Sequence, residues 1–305
     1  MPAPLLGRGA RSAPARKIPS VWTASSARLA LLLVLAPLFV LVPCPAAAHP
    51  LLEDRIARLT RAIEADPGEA ALWVERGDCY RLDGLWELAL ADYVQARTLD
   101  PELDALDFSL GWLYLETGRA DKALPHLDRF VARHPEQPVA LLGRARALAA
   151  LGRAAEVGPA YGSAVDAMRQ PKPEHYLEWS RALAAAGEHD LALAVLDAGA
   201  ARLGAISSLA REAVEIEESR GDLEAAVVRL DALIADSPRP ETWLLRKAEM
   251  LEQMGKPDQA RHALQLALGA LESRPPSRRS VPALQELEAR IREALRRLEE
   301  APPGP

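Results

Sequence analysis

Two groups of residues carry side chains suited to recognition. The stretch "ERGDCYRLDG" holds the tripeptide Arg76-Gly77-Asp78 next to Cys79, and Trp112, Arg146 and Arg181 follow one another at intervals of 34 and 35 residues. On one surface, an indole and two guanidinium groups would offer contact area and bidentate partners for carboxylates, the usual anchors of protein interfaces. Catalytic chemistry has no comparable signature. The sequence contains no HExxH, no glycine-rich phosphate loop and no GxSxG, so no metal-hydrolase, nucleotide or nucleophile-elbow site is legible. His126, His134, His175, His189 and His262 are scattered along the chain and read as surface or turn residues rather than ligands. The chain reads as non-enzymatic, with no metal site and no cofactor.

Residues 1–48 read as a secretory signal. Arg8, Arg11, Arg16, Lys17 and Arg28 form a basic region without an acid, and "LALLLVLAPLFVLV" at 29–42 is an apolar run too short to cross a bilayer comfortably. Small residues at Ala46 and Ala48 then suit cleavage before His49. This predicts an exported protein, periplasmic or extracellular, while an uncleaved segment 29–42 would give a membrane-anchored envelope protein. Loss of five cations and no acid takes the formal charge from -6 to -11, which argues against nucleic acid or an anionic membrane as the main partner. Cys79 is then the one cysteine left, excluding an intramolecular disulfide and a cysteine-based zinc site, and it reads as a half-buried thiol. A freed His49 would pair an amine with an imidazole, ligands suited to copper. That is the alternative reading, a metal-binding or enzyme-accessory protein, and it needs a second histidine from elsewhere in the fold.

The elements that would position these residues are helices. The composition is 49% hydrophobic and 26% charged but only 5% aromatic, rich in Ala, Leu, Arg and Glu, a mixture that favours helix. Glycines recur at 84, 118, 152, 187, 221 and 255, at intervals of 34, 34, 35, 34 and 34. Five residues after each stands Ala89, Ala123, Val157, Ala192, Ala226 or Ala260, and seven before each stands Gly77, Gly111, Ala145, Ser180, Val214 or Ala248. A helix-turn-helix unit explains all three columns. The turn needs a residue that tolerates positive φ, and the two helices approach closely where both carry small residues. Gly77 is therefore read as a packing residue, and the tripeptide around it as helical rather than as an adhesive loop.

These columns resemble the tetratricopeptide repeat family, whose unit is a 34-residue helix-turn-helix. Trp73, Gly77, Tyr80, Gly84, Ala89, Tyr93, Ala96 and Pro101 fit its pattern in the first full copy, and Leu110, Gly111, Tyr114, Gly118, Ala123 and Pro135 in the second, where Phe130 replaces a small residue. The closing proline recurs at Pro238, whereas Arg169, Gly204 and Glu272 stand in its place in the third, fourth and sixth copies. The resemblance implies an all-α right-handed superhelical solenoid and a protein-interaction scaffold that binds a peptide or protein segment in its concave groove. The expected organisation is a capping helix at 49–68, repeats over 69–272, and a capping helix with a frayed tail at 273–305. The last helix carries Leu284, Leu287, Ile291, Leu295 and Leu298 on one stripe.

The period places two columns of the first helices toward the groove: Val74, Phe108, Leu142, Leu177, Arg211 and Leu245, then Asp78, Trp112, Arg146, Arg181, Glu215 and Glu249. The apolar members equally suit packing between repeats. Phe108, Trp112, Arg146, Arg181, Arg211, Glu215 and Glu249 are the expected partner-binding residues, the arginines pairing with acidic groups and the glutamates with a basic stretch. Asp92, Arg97 and Arg129 are expected on the outer, exposed face. Chaperone-binding relatives grip a terminal carboxylate with lysines and asparagines, and the mature chain has no asparagine, so that activity is not carried over.

Overall fold

Helix-forming sequence between glycine turns builds fourteen helices in the described residues of this computed structural model, 50–275 and 280–300. The expected leader at 1–48, His49 and the tail at 301–305 lie outside them. Helix α1 (Pro50–Ala65) is followed by six hairpins: α2 (Ala70–Leu82) with α3 (Trp86–Leu99), α4 (Asp104–Glu116) with α5 (Ala120–Arg133), α6 (Pro138–Ala150) with α7 (Ala154–Ala167), α8 (Pro173–Ala185) with α9 (His189–Leu203), α10 (Ser207–Ser219) with α11 (Leu223–Asp236), and α12 (Glu241–Gln253) with α13 (Pro257–Glu272). Helix α14 (Pro282–Glu300) ends the series. Each hairpin packs on the next, giving an all-α helical repeat solenoid.

The turns are built alike. In the first, Gly84 takes φ 74°, its N–H donates to Arg81 O at 3.0 Å, and Leu85 N–H reaches back to Tyr80 O at 2.8 Å. Glycine bears this left-handed conformation without steric cost while two helix-end carbonyls are satisfied. The same reach-back recurs from Arg119, Arg153, Glu188, Asp222 and Lys256. Where the closing proline is missing, other residues end the hairpin. Gly204 stops α9 at φ 91°, and Met168 leaves α7 in extended conformation.

Within a hairpin the helices touch at the small-residue columns. A Cβ on Gly77 would stand 2.5 Å from Tyr93 Cε1 and 3.2 Å from Ala89 O, and one on Gly111 would stand 2.6 Å from Leu127 Cγ. All three tripeptide residues join α2 to α3: Arg76 pairs with both carboxylate oxygens of Asp92 at 2.8 Å, Gly77 receives the Tyr93 ring, and Asp78 accepts the Tyr93 hydroxyl at 2.7 Å. Arg76 also lies 5.0 Å from the Trp73 ring centroid. Burial, helped by the neighbouring Asp78 carboxylate, pushes the Tyr93 phenol up and keeps it a donor.

Expectations of exposure need correction at Asp92, His126 and Cys79. Asp92 is buried, 5% exposed, because it is the carboxylate that Arg76 needs. Arg129 is exposed as expected, and its guanidinium holds Asp107 by two hydrogen bonds of 3.1 and 2.7 Å. His126 is not a surface residue: it is half-buried, stacks on Tyr114, and sets Nδ1 2.7 Å from Asp107 Oδ1. Cys79 is buried completely rather than by half, and burial pushes its thiol up. The ends behave as caps. Leu59 and Ile63 of α1 are buried against the stack, as are Ile291 and Leu298 of α14, with Leu284, Leu287 and Leu295 packed beside them.

Gly77→Leu is expected to destabilise the protein by about 1–3 kcal/mol through overpacking, and Asp92→Ala by about 3 kcal/mol because Arg76 is left with an unpaired, mostly buried charge. Urea midpoints check both, and unchanged midpoints contradict the crossing. A pH series tests the Asp107 group. Burial pushes His126 below its usual value against the pull of Asp107, while Asp107 itself, which burial alone would raise, is held low by Arg129 and His126. A group whose folded value is depressed adds stability that is present above its unfolded value and lost as pH falls. The melting temperature is expected to drop from pH 7 to 5 as the unfolded imidazole takes up its proton near about pH 6.5, and again below about pH 4 as the carboxylate does. His126→Gln should flatten the first step and leave the second. An unchanged slope between pH 7 and 5 in that variant contradicts the assignment.

Candidate partner-binding face

The first helices, α2, α4, α6, α8, α10 and α12, recur along the stack and bring one position of each into line. Val74, Leu142 and Leu245 of the first column are buried between elements, Leu177 is half-buried and Arg211 is exposed. Phe108 stands 6.3 Å from Trp112 and 5.1 Å from Phe130, which in turn lies 4.5 Å from His134. The bulky Phe130 at a normally small position therefore completes an aromatic cluster.

The second column is tied to its neighbours. Arg146 of α6 lies over the Trp112 ring of α4 at 5.4 Å and reaches forward to Glu178 of α8, Nε to Oε1 at 2.6 Å and Nη2 to Oε2 at 2.7 Å. Tyr161 donates its hydroxyl to the same carboxylate at 2.9 Å. Arg181 of α8 repeats the arrangement on Glu212 of α10, at 2.9 and 2.5 Å. Further links run from Arg81 of α2 to Glu116 of α4 at 2.6 Å, from Arg246 of α12 to Glu218 of α10, and from Arg290 of α14 to Glu249 of α12 at 3.2 Å. An arginine thus spans every junction from α2 to α14. Burial would raise Glu178, but the hydrogen bonds and charge of Arg146 outweigh it and hold the carboxylate below its usual range.

The structure therefore brings Phe108, Trp112 and Arg146 together, places Arg181 beyond them, and sets Arg211 and Glu215 as an exposed pair on α10, 3.9 Å apart. Glu249 lies at the far end against Arg290. Sequence reasoning missed Glu178 and Glu212, the acceptors that occupy the two arginines. Their signal was present as an acid 32 and 31 residues after each arginine, on the next first helix. Both arginines use Nε and Nη2 and keep Nη1 without a partner among the described residues. The Arg181 side chain is 60% exposed and that of Arg146 39%. The indole N–H of Trp112 is buried and unpartnered. Among the described residues no group of three or more His, Cys, Asp or Glu side chains is placed to hold a metal ion, and no helix is long and apolar enough to cross a membrane.

No curated protein matches the chain. A family model described as tetratricopeptide repeat matches residues 56–103 and 108–171. Among solved structures, a tetratricopeptide repeat protein from Parabacteroides merdae is 15% identical over 79% of this chain and 92% of that one, with a TM-score of 0.49. PilW, a type IV pilus biogenesis factor, is 19% identical over 61% of this chain and 86% of its own, with a TM-score of 0.51. The Naa15/Naa10 structure bound to HypK-THB is 15% identical, covering 83% of this chain and 37% of that one, with a TM-score of 0.54. At such identities PilW and Naa15/Naa10 are similar in fold. The family match over the first three hairpins, with the same turn repeated through α13, supports a tetratricopeptide repeat protein.

Proposed function

We propose that this protein is an exported, non-enzymatic scaffold that binds a segment of another protein along its first helices. The observation that carries the reading is the pair of bidentate arginines, Arg146 and Arg181, oriented by Glu178 and Glu212 and each with Nη1 unpartnered among the described residues, Arg146 lying over the Trp112 ring. Guanidinium groups fixed in this way lose little freedom when a carboxylate arrives, and the aromatic cluster supplies contact area. The exposed Arg211 and Glu215, and then Glu249, continue the face toward α14, and the two glutamates favour a basic stretch, giving the ligand a polarity from acidic to basic. Export rests on the basic, apolar and small-residue succession of residues 1–48. A repeat fold solved in complex with other chains, as in Naa15/Naa10 with HypK-THB, is in keeping with a binding role.

The test must separate binding from folding, because alanine at Arg146 or Arg181 strands a glutamate and lowers stability as well. Arg129, which holds Asp107, is equally unsuitable as a neutral control. Exchanging Arg211 and Glu215 keeps their intrahelical pair and reverses the local charge order. Peptides selected from a random displayed library on the native chain are expected to carry acid toward one end and base toward the other. They should lose about 10-fold or more in affinity for the Arg211→Glu/Glu215→Arg exchange and weaken with salt. Equal affinity for native and exchanged chains contradicts the face. Protein purified from its native source is expected to begin at His49; retention of residues 1–48 contradicts export by cleavage.

A further inference from the structure

Hairpin α10/α11 departs from the register at several packing positions at once. The position held by Trp73, Asp107, Leu141, Tyr176 and Leu244 in other first helices is Ala210 in α10, and that held by Arg76, Leu110, Arg144, Trp179 and Lys247 is Ala213. On the preceding second helix, Ala200 stands where the others carry Arg97, Val131, Val165, Ile234 and Leu268. Val214 meanwhile brings a branched side chain to a crossing where the other hairpins have Gly, Ala or Ser, and helix separation grows with the side chains at the contact. The missing volume is open: a cavity of about 270 Å³ lies between α9, α10 and α11, walled by Leu196, Ala200, Ile206, Leu209, Ala213 and Leu233.

The polar rim follows from the same truncation. Elsewhere a carboxylate on a second helix receives a cation from the next first helix, as Asp128 does from Arg144 at 2.6 Å and Asp231 from Lys247. Asp197 occupies that register, and Ala213 has no cation to give. Arg229 of α11 supplies it from the side, reaching Asp197 at 2.7 and 3.1 Å and Glu217 of α10 at 2.6 Å. The guanidinium braces three helices at the rim and leaves the interior unfilled. Asp236, also on the lining, has no partner among the described residues.

We infer that this cavity is a second docking site, separate from the first-helix face, which takes an aromatic side chain of a partner segment with a lysine or arginine beside it. The chain shows what fits: at other junctions the equivalent positions carry its own Trp73 or Tyr176, the latter packed on Gly199 of the second helix, or a leucine with Arg144 or Lys247 three residues on. The partner supplies both parts, its ring replacing the missing apolar group and its cation meeting Asp236, on a chain whose formal charge is -6.

The test titrates acetyl-Trp-Lys-amide, acetyl-Ala-Lys-amide and acetyl-Trp-Glu-amide into the full chain while methyl resonances of Ile206, Leu209 and Leu233 are followed. The Trp-Lys probe is expected to shift them saturably, and the other two to bind about 10-fold more weakly. Ala210→Leu, which installs the residue found at Leu141 and Leu244, should weaken the Trp-Lys probe about 10-fold or more without lowering the melting temperature. Ala200→Val is a milder filling variant should Ala210→Leu fail to fold. Absence of a saturable shift, equal binding by a folded filled variant, or Trp-Glu binding as well as Trp-Lys each overturns the proposal. None of these outcomes bears on the Arg146 and Arg181 face, which the probes and methyl groups do not report.

Discussion

How closely two helices can cross decides what each repeat of this protein becomes. In the first hairpin the residue at the crossing has no side chain, so the Tyr93 ring lies where a Cβ on Gly77 would be. That contact brings the flanking polar groups within reach. Arg76 can then meet Asp92, and Asp78 the Tyr93 hydroxyl, so a sequence that looks like a displayed tripeptide is consumed in joining α2 to α3. A glycine within a helix costs about 1 kcal/mol relative to alanine, and the packing and charge pairing it permits offset that.

Repeating the crossing aligns the first helices, and alignment makes the arginine ladder possible. A guanidinium reaching from one helix to a carboxylate on the next is a nearest-neighbour interaction, the kind that couples repeats in a linear array. The ladder also changes what the arginines can do for a partner. Arg146 and Arg181 are not free cations awaiting a carboxylate; they are already oriented by one, with Nη1 of each left without a partner among the described residues. Preorganisation of this type favours selectivity over flexibility.

The glycine period, the small-residue columns and the hydrophobic stripe of α14 were legible because each reports a local requirement: a positive φ, a close contact or a buried face. The pairing of charges was not. Asp92 looked like one more acid on a solvated face, and nothing within its own helix shows that Arg76 faces it from the helix before. His126 looked scattered because Asp107 and Arg129, which enclose it, lie 19 residues before and 3 after it. Arg146 and Arg181 share a register position in the sequence, yet their acceptors lie in the following repeat, where only the three-dimensional register reveals them. The residues in the position of the missing closing prolines illustrate the same limit, since Gly204 ends a helix by its own backbone freedom rather than by the family's device.

Hairpin α10/α11 is where the shared rule is relaxed. Val214 occupies the crossing, Ala210 and Ala213 leave space behind it, and Arg229 braces the opening. If the crossing residue governs how tightly a hairpin is closed, local opening should follow its size. Hydrogen exchange of the unmodified protein, resolved by helix, tests this most directly. Amides of α10 and α11 are expected to exchange faster than those of the internal hairpins α6/α7 and α8/α9, which cross at Ala145 and Ser180. Protection in α10 and α11 equal to or greater than that of these neighbours would contradict the account.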